Sequence, residues 1–255
     1  MLDNFTLTTN KNIILIGTIV SASSVFLFLC MGGSSSKNMN KLCVANPQAR
    51  HTATLIFLHG LGDTGQAWSD AFKQLKLKNI KCVCPTAPVM PVTLNGGFMM
   101  PSWFDIVSLN PDGQQDVAGI NKAVSSLREL IEEEEKKGIS SENIILGGFS
   151  QGGAVALYTA FTHDKPLAGI VGLSTWLPIH SEFPAGLKEA NRNIPVFQGH
   201  GRIDPLVPFK WGEMTRDVLQ KMTTKIDFKD YPIQHSSCPE EMDDVKNFLT
   251  SLAKD

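Results

Sequence analysis

"NIILGGFSQGGAVALYTAF", residues 143–161, decides how this chain is read. An apolar run of strand character, NIILGGF, leads into Ser150, and an alanine-rich helical run, GGAVALYTAF, follows. Between them Gly148-Phe149-Ser150-Gln151-Gly152 fits G-x-S-x-G, the spacing of a nucleophile elbow. So sharp a turn puts its serine in a strained backbone conformation. The residues two before and two after it come close together, and only glycine avoids a clash of β-carbons there. The hydroxyl is thereby held above the sheet edge. The N–H of Gln151 stands at a helix start, where an unpaired donor and partial positive charge favour a nearby oxyanion. The plain alternative is a glycine-rich turn with an incidental serine, and the strand–turn–helix context argues against it.

Outward from this point the chain alternates. The runs at 53–59, 80–86, 167–174 and 194–200 are continuous and apolar, as expected of strands covered on both faces. "KIDFKDYP", 225–232, alternates in character and reads as a sixth strand nearer an edge. Helical stretches lie between. In 115–137, Val117, Ile120, Val124, Leu127, Leu130 and Ile131 recur at steps of three and four, and Gly138 ends the run. Met242, Val245, Phe248, Leu249 and Leu252 draw a second stripe near the chain end. Such alternation predicts an α/β fold: a mostly parallel central sheet with helices on both faces. Segment 86–114 is rich in Pro and Gly and too long for an ordinary connection, so a functional loop or lid is expected there.

A serine needs a base, and the base needs an orienting group. On this type of elbow the acid and then the histidine follow the serine in the chain. Asp204 follows the fifth strand run, with Pro208 placed to open the next helix. His235 follows the sixth run and precedes the last helix. Both lie just after strands, where open α/β sheets place their sites. His200 is expected to crowd the acid, Asp230 lies inside a strand run, and His59 precedes the serine. Ser150, Asp204 and His235 are therefore the candidate catalytic residues. The loop "HGLGD", 59–63, follows the first strand run; its Leu61 N–H and the Gln151 N–H are the candidate oxyanion donors. His59 reads as a hydrogen-bonded loop organiser. Met99, Met100, Trp103, Phe104, Trp176 and Leu177 lie in loops and are candidates for an apolar groove, or for lid packing onto the core.

Composition bounds the rest. Of 255 residues 42% are hydrophobic, ample for one large core, and a net charge of −2 leaves no electrostatic footprint for nucleic acid. Five cysteines without a regular framework argue for a reducing compartment. Cys82 and Cys84 read as packing residues on one strand face rather than metal ligands. Residues 1–41 differ from the rest, and 42–255 are expected to form the catalytic domain. The uncharged run Ile13–Cys30 would span ~27 Å as a helix. A membrane anchor, a cleaved signal peptide and an extension upstream of Met31 all remain open for it. Lys37, Lys41 and Arg50 beyond the run favour a cytosolic domain, and the sole sequon, Asn4-Phe5-Thr6, lies outside that domain. "MGGSSS", 31–36, would fit N-myristoylation if translation began at Met31.

The stretches "FLHGLGDTG", "PTAPVMPVTLN", "MPSWFDI", "ILGGFSQGGAVALYTA", "LSTWLPI", "GRIDPLVP" and "HSSCPEEM" run in order through residues 57–242. Together they resemble the acyl-protein thioesterases, the lysophospholipase-like carboxylesterases of the α/β-hydrolase superfamily. The resemblance covers about residues 50–252. It implies an α/β-hydrolase fold without a separate cap domain, needing no metal or cofactor. It implies hydrolysis of S-palmitoyl-cysteine thioesters on proteins, with some action on lysophospholipids and small esters, by a cytoplasmic monomer or weak homodimer. It assigns Ser150 as nucleophile, Asp204 as acid, His235 as base, and Leu61 and Gln151 as oxyanion donors. A lysophospholipase or general carboxylesterase with the same triad is the alternative, and a non-catalytic lipid-binding protein is a third reading. The chain departs from the family in residues 1–41, and in Thr175, where members often carry cysteine; that difference is expected to bear on packing more than on chemistry. "MPVTLNGGFMMPSW" is richer in glycine than the family pattern, which bears on acyl-chain preference.

Overall fold

The computed structural model describes residues 41–108, 110 and 113–253. The apolar run 13–30, the sequon and the 31–36 motif lie outside the described residues. Lys41, placed with the N-terminal extension by sequence, instead opens the first strand.

Seven strands form the central sheet. In chain order they are β1 (Lys41–Ala45), β2 (Ala53–Leu58), β3 (Ile80–Thr86), β6 (Ile144–Phe149), β7 (Gly169–Leu173), β8 (Val196–Gly201) and β9 (Ile226–Tyr231). Their spatial order is β1-β3-β2-β6-β7-β8-β9, with only β1 antiparallel. The six runs read from sequence are the six parallel strands. Every residue of β2, β6, β7 and β8 is buried, which explains their continuous apolar character. The chain leaves β2 for β3 on one side and returns to β6 on the other. This switch opens a crevice between the carboxyl ends of β2 and β6.

Helices α1 (Gly65–Leu75) and α5 (Pro239–Leu252) cover one face of the sheet. The other face carries α2 (Val117–Lys136), α3 (Gln151–Phe161) and α4 (Phe209–Leu219). Helix α2 starts where the Asp116 carboxylate accepts the Gly119 N–H and stops before Gly138, whose φ of 93° suits glycine. Its stripe from Ile120 to Ile131 packs on α3. Helix α3 is buried along its whole length, so its large apolar side chains, Val155, Leu157, Tyr158 and Phe161, each contribute about 1.5–3 kcal/mol of burial. Pro208 sits at the N-cap of α4, one residue before the position expected for it. Cys82 and Cys84 pack in the core under α1, and burial pushes both thiols far up, leaving them as apolar filler.

The segment 86–114 is not a bare loop. It carries a two-stranded antiparallel hairpin, β4 (Val89–Val92) and β5 (Phe98–Pro101), outside the main sheet. Its turn closes through Gly96 and Gly97, both at positive φ. Among the described residues there is one sheet-and-helix unit and no separate cap.

Candidate active site

Ser150 lies between β6 and α3 with φ 53° and ψ −121°. A non-glycine residue in this region costs about 1–3 kcal/mol and is held by its surroundings. Here the Ser150 N–H donates to Leu173 O at 2.9 Å, tying the elbow to β7. A β-carbon on Gly148 would overlap the backbone of Gly152, and one on Gly152 would overlap the carbonyls of Leu58 and His59. The two motif glycines thus permit both the turn and the close seating of α3 on β2.

Asp204 follows β8 and is buried. Its Oδ1 accepts the N–H groups of Leu206 and Val207, each at 2.9 Å, and its Oδ2 faces Nδ1 of His235 at 2.7 Å. The pinned carboxylate accepts the Nδ1 proton, which leaves Nε2 as the free acceptor. The His235 ring lies 4.7 Å from that of Phe149, the residue before the nucleophile candidate. Three separate loops, after β6, β8 and β9, thus bring Ser150, Asp204 and His235 to one end of the sheet.

Burial disfavours the charged form of the other two histidines near the site. His200 is buried, its Nε2–H donates to Val207 O at 2.8 Å, and it stands 3.8 Å from Asp204 Oδ2. His59 donates from Nδ1 to Gly60 O at 2.6 Å and accepts the Ala87 N–H on Nε2 at 3.0 Å. Burial lowers both pKa values below the usual histidine range. His59 joins β2 to the start of the 86–114 segment, and its carbonyl accepts the Trp103 indole N–H at 2.8 Å. That is the organising role read from the sequence.

The loop after β2 passes close over the elbow: a β-carbon on Gly60 would lie 3.0 Å from the Phe149 ring and 3.4 Å from Ser150 Cβ. The N–H of Gly62 is taken by Pro101 O and that of Asp63 by Gly60 O. Among the described residues the N–H groups of Leu61 and Gln151 have no such partner. The Gln151 side chain is also engaged. It accepts the Trp103 N–H at 3.0 Å and donates to Phe104 O and Ser102 Oγ at 2.7 and 3.0 Å. Among the described residues no cluster of three or more His, Cys, Asp or Glu is placed to hold a metal ion.

An apolar cavity of about 260 Å³ lies against Phe104 and Trp176, and its lining does not include Ser150, Gln151, Asp204 or His235. Of the six groove candidates, Phe104, Trp176 and Leu177 line it, while Met99 is exposed on β5. Trp103 is instead buried beneath the loop after β2, and Met100 sits on the hairpin with its Sδ 3.4 Å from Asn95 Nδ2. The opposite wall comes from α4, through Trp211, Met214, Thr215 and Val218. Sequence reasoning passed over these four, although their spacing of three, one and three marks one helical face.

The family model for phospholipase/carboxylesterase matches residues 39–253. The chain belongs to that family. Acyl-protein thioesterase 1 of Mycosarcoma maydis is 41% identical over 232 residues, covering 83% of this chain and 97% of that protein. Acyl-protein thioesterase 1 of Cryptococcus neoformans is 42% identical over 228 residues, covering 82% and 96%. Among solved structures, Zea mays acyl-protein thioesterase 2 superposes with a TM-score of 0.76 at 35% identity, covering 83% of this chain and 98% of that one. The fold is the α/β-hydrolase fold and the protein is a hydrolase.

Proposed function

We propose that this family member is an acyl-protein thioesterase: it removes long acyl groups, palmitoyl among them, from S-acylated cysteines of proteins through a serine-bound acyl-enzyme. The observation that carries the reading is the Asp204–His235 hydrogen bond, at the same end of the sheet as the strained Ser150. The relatives named above, called acyl-protein thioesterases, point to the same substrate class.

In the proposed sequence, His235 Nε2 takes the Ser150 proton as Oγ attacks the thioester carbonyl. Asp204 holds the tautomer and offsets the imidazolium charge. The N–H groups of Leu61 and Gln151 stabilise the tetrahedral oxyanion, each worth about 3 kcal/mol. The C–S bond breaks, and the His235 imidazolium gives its proton to the departing sulfur or, where that leaves as thiolate, to solvent, which returns the imidazole to its neutral form. Water then attacks the acyl-enzyme with His235 again as base, releasing the fatty acid and restoring Ser150. The cavity between Phe104, Trp176, Leu177 and α4 receives the acyl chain, each buried methylene contributing about 0.8 kcal/mol.

The proposed setting is the cytosolic side of membranes. Lys37, Lys41 and Arg50 flanking the apolar run support it, as do the free thiols of Cys43, Cys82, Cys84 and Cys238. Among the described residues no helix is long and apolar enough to cross a membrane.

The test is a side-by-side rate measurement on a palmitoylated peptide and a lysophospholipid, with Ser150→Ala as control. A higher kcat/KM on the peptide, abolished in Ser150→Ala, is expected. Preference for the lysophospholipid would assign the site to phospholipid turnover instead. A fluorophosphonate probe attached at another serine would remove Ser150 from the mechanism.

A further inference from the structure

The first turn after β7 presses Thr175 against the elbow. Its hydroxyl donates to the Ser150 carbonyl at 2.7 Å in a fully buried position. That carbonyl also accepts the Ala154 N–H of α3, at 3.1 Å. The Ser150 carbonyl and the Gln151 N–H are the two ends of one planar, trans peptide unit, so they point in opposite directions. Whatever fixes the carbonyl fixes the N–H. A hydrogen bond accepted at the oxygen also polarises the unit and makes its N–H a stronger donor.

We propose that Thr175 is a positioning residue for the oxyanion hole: its hydroxyl, held on the Ser150 carbonyl, aims and strengthens the Gln151 N–H. The inference rests on the roles proposed above for Ser150 and Gln151. The sequence comparison with thioesterases suggested a packing role for this side chain; the bond to Ser150 gives it a part in the chemistry.

Two features show that the hydroxyl is held in place. Thr175 is β-branched, with few accessible χ1 angles. Its seat is cut by glycines: a β-carbon on Gly153 would lie 2.7 Å from both Cβ and Oγ1 of Thr175, and one on Gly172 would lie 3.1 Å from its methyl. The second glycine of the pair after Gln151 is thus required by Thr175 and by the elbow together, since the same β-carbon would lie 2.8 Å from the Gly148 carbonyl oxygen. Helix α3 holds the 150–151 peptide at one point, through the Ala154 N–H on the Ser150 carbonyl. The lateral bond from the neighbouring turn, shorter at 2.7 Å, adds a second constraint on the same oxygen.

Removing an oxyanion donor outright costs about 10²–10³ in kcat. Here the donor stays and loses only its alignment and polarisation, so the expected loss is about tenfold. The test uses the full-length protein with Thr175→Val, which keeps the shape and removes the donor, and Thr175→Ser, which keeps the donor. Thr175→Cys keeps the size but offers only a weak S–H donor. For each, kcat and KM on a soluble p-nitrophenyl ester are measured with the affinity for a trifluoromethyl ketone, which forms a tetrahedral oxyanion on the serine.

Thr175→Val should lose about tenfold in kcat and the same factor in ketone affinity, with KM within about twofold. Thr175→Ser should stand within about threefold of wild type, and Thr175→Cys between the two. The proposal is overturned if Thr175→Val, or Thr175→Cys should the valine protein not fold, keeps wild-type kcat and ketone affinity. A loss shared equally by Thr175→Ser, or confined to KM, overturns it as well. Ser150→Ala in the same assay separates the two readings. Activity surviving in Ser150→Ala removes the proposed nucleophile, whereas an inactive Ser150→Ala beside an unimpaired Thr175→Val removes only the role of Thr175.

Discussion

Replacing Asp204 by asparagine changes one atom's charge and little of the shape, yet the surroundings dictate a large effect. The carboxylate Oδ1 accepts two backbone N–H groups at 2.9 Å, and Oδ2 accepts the His235 proton at 2.7 Å. In the asparagine, the carbonyl oxygen must stay with the two backbone donors. The flipped amide would set its NH2 against both of them and leave three donors without an acceptor. Held that way, the NH2 faces Nδ1 of His235, which becomes the acceptor. The ring proton then sits on Nε2, where the base is needed, and the serine proton has nowhere to go. A trapped tautomer of this kind costs about 10⁴ in kcat, or roughly 5.4 kcal/mol at 1.36 kcal/mol per decade. Stability should suffer less, by about 1.5–3 kcal/mol for one lost charge-assisted bond, because both backbone bonds survive. The assay is kcat on a soluble ester, with urea unfolding run in parallel. Asp204→Ala is the companion: it frees the tautomer but orphans the Leu206 and Val207 N–H groups, so it should lose more stability than Asp204→Asn and no more activity. An Asp204→Asn protein within tenfold of wild-type kcat would refute the reasoning.

His200→Ala should keep kcat within about tenfold while losing roughly 2–4 kcal/mol of stability from an emptied buried site. His235→Ala should lose several orders of magnitude in kcat, and the reverse ranking in folded proteins would overturn the triad. Glu241, buried on α5 with no partner for either oxygen among the described residues, is pushed up to about 8 by burial and then by Asp244. Its raised folded-state value means that its contribution to stability is fully present below about pH 4.5 and is lost as pH rises through 8. Glu241→Gln should therefore gain stability over wild type progressively between those values, by a few kcal/mol at the top of the window, as read from urea midpoints at pH 5, 7 and 8.5. An unchanging difference across that range would contradict it. Met214→Trp, adding bulk at the α4 wall of the cavity, should shift preference to shorter acyl chains, with about fourfold lost in kcat/KM per excluded methylene. Hydrolysis of an acetyl ester should be unchanged; a uniform loss across chain lengths would remove Met214 from the acyl site.

The parallel strands were legible because burial on both faces writes a continuous apolar run, and the elbow because its glycines stand where β-carbons do not fit. β1 was not, since it is a five-residue antiparallel edge strand with Leu42 and Val44 facing out, and KLCVA looks like the end of a tail. The hairpin was masked by Pro91 and Pro101, which break strand patterns when read alone. Chain order alone pointed to Asp204 and His235, which the fold brings into hydrogen-bond contact. The α4 wall of the cavity and the Thr175 bond were not, because both depend on which loop lies across from which. Trp103 and Met100 show the limit of inferring a groove from loop aromatics and methionines: one became a buried strut under the site and the other part of a hairpin.

Gln151 is a single residue with two anchorages. Its backbone belongs to the elbow, and its side chain holds Trp103 and Phe104, the latter a wall of the proposed acyl cavity. On the proposed roles, altering this residue is expected to change reaction rate and acyl-chain fit together. The wall formed by Trp211, Met214 and Val218 carries none of these bonds. Diversification of acyl preference within this lineage is therefore expected to accumulate on α4, leaving the glutamine side as the fixed reference against which chain length is measured.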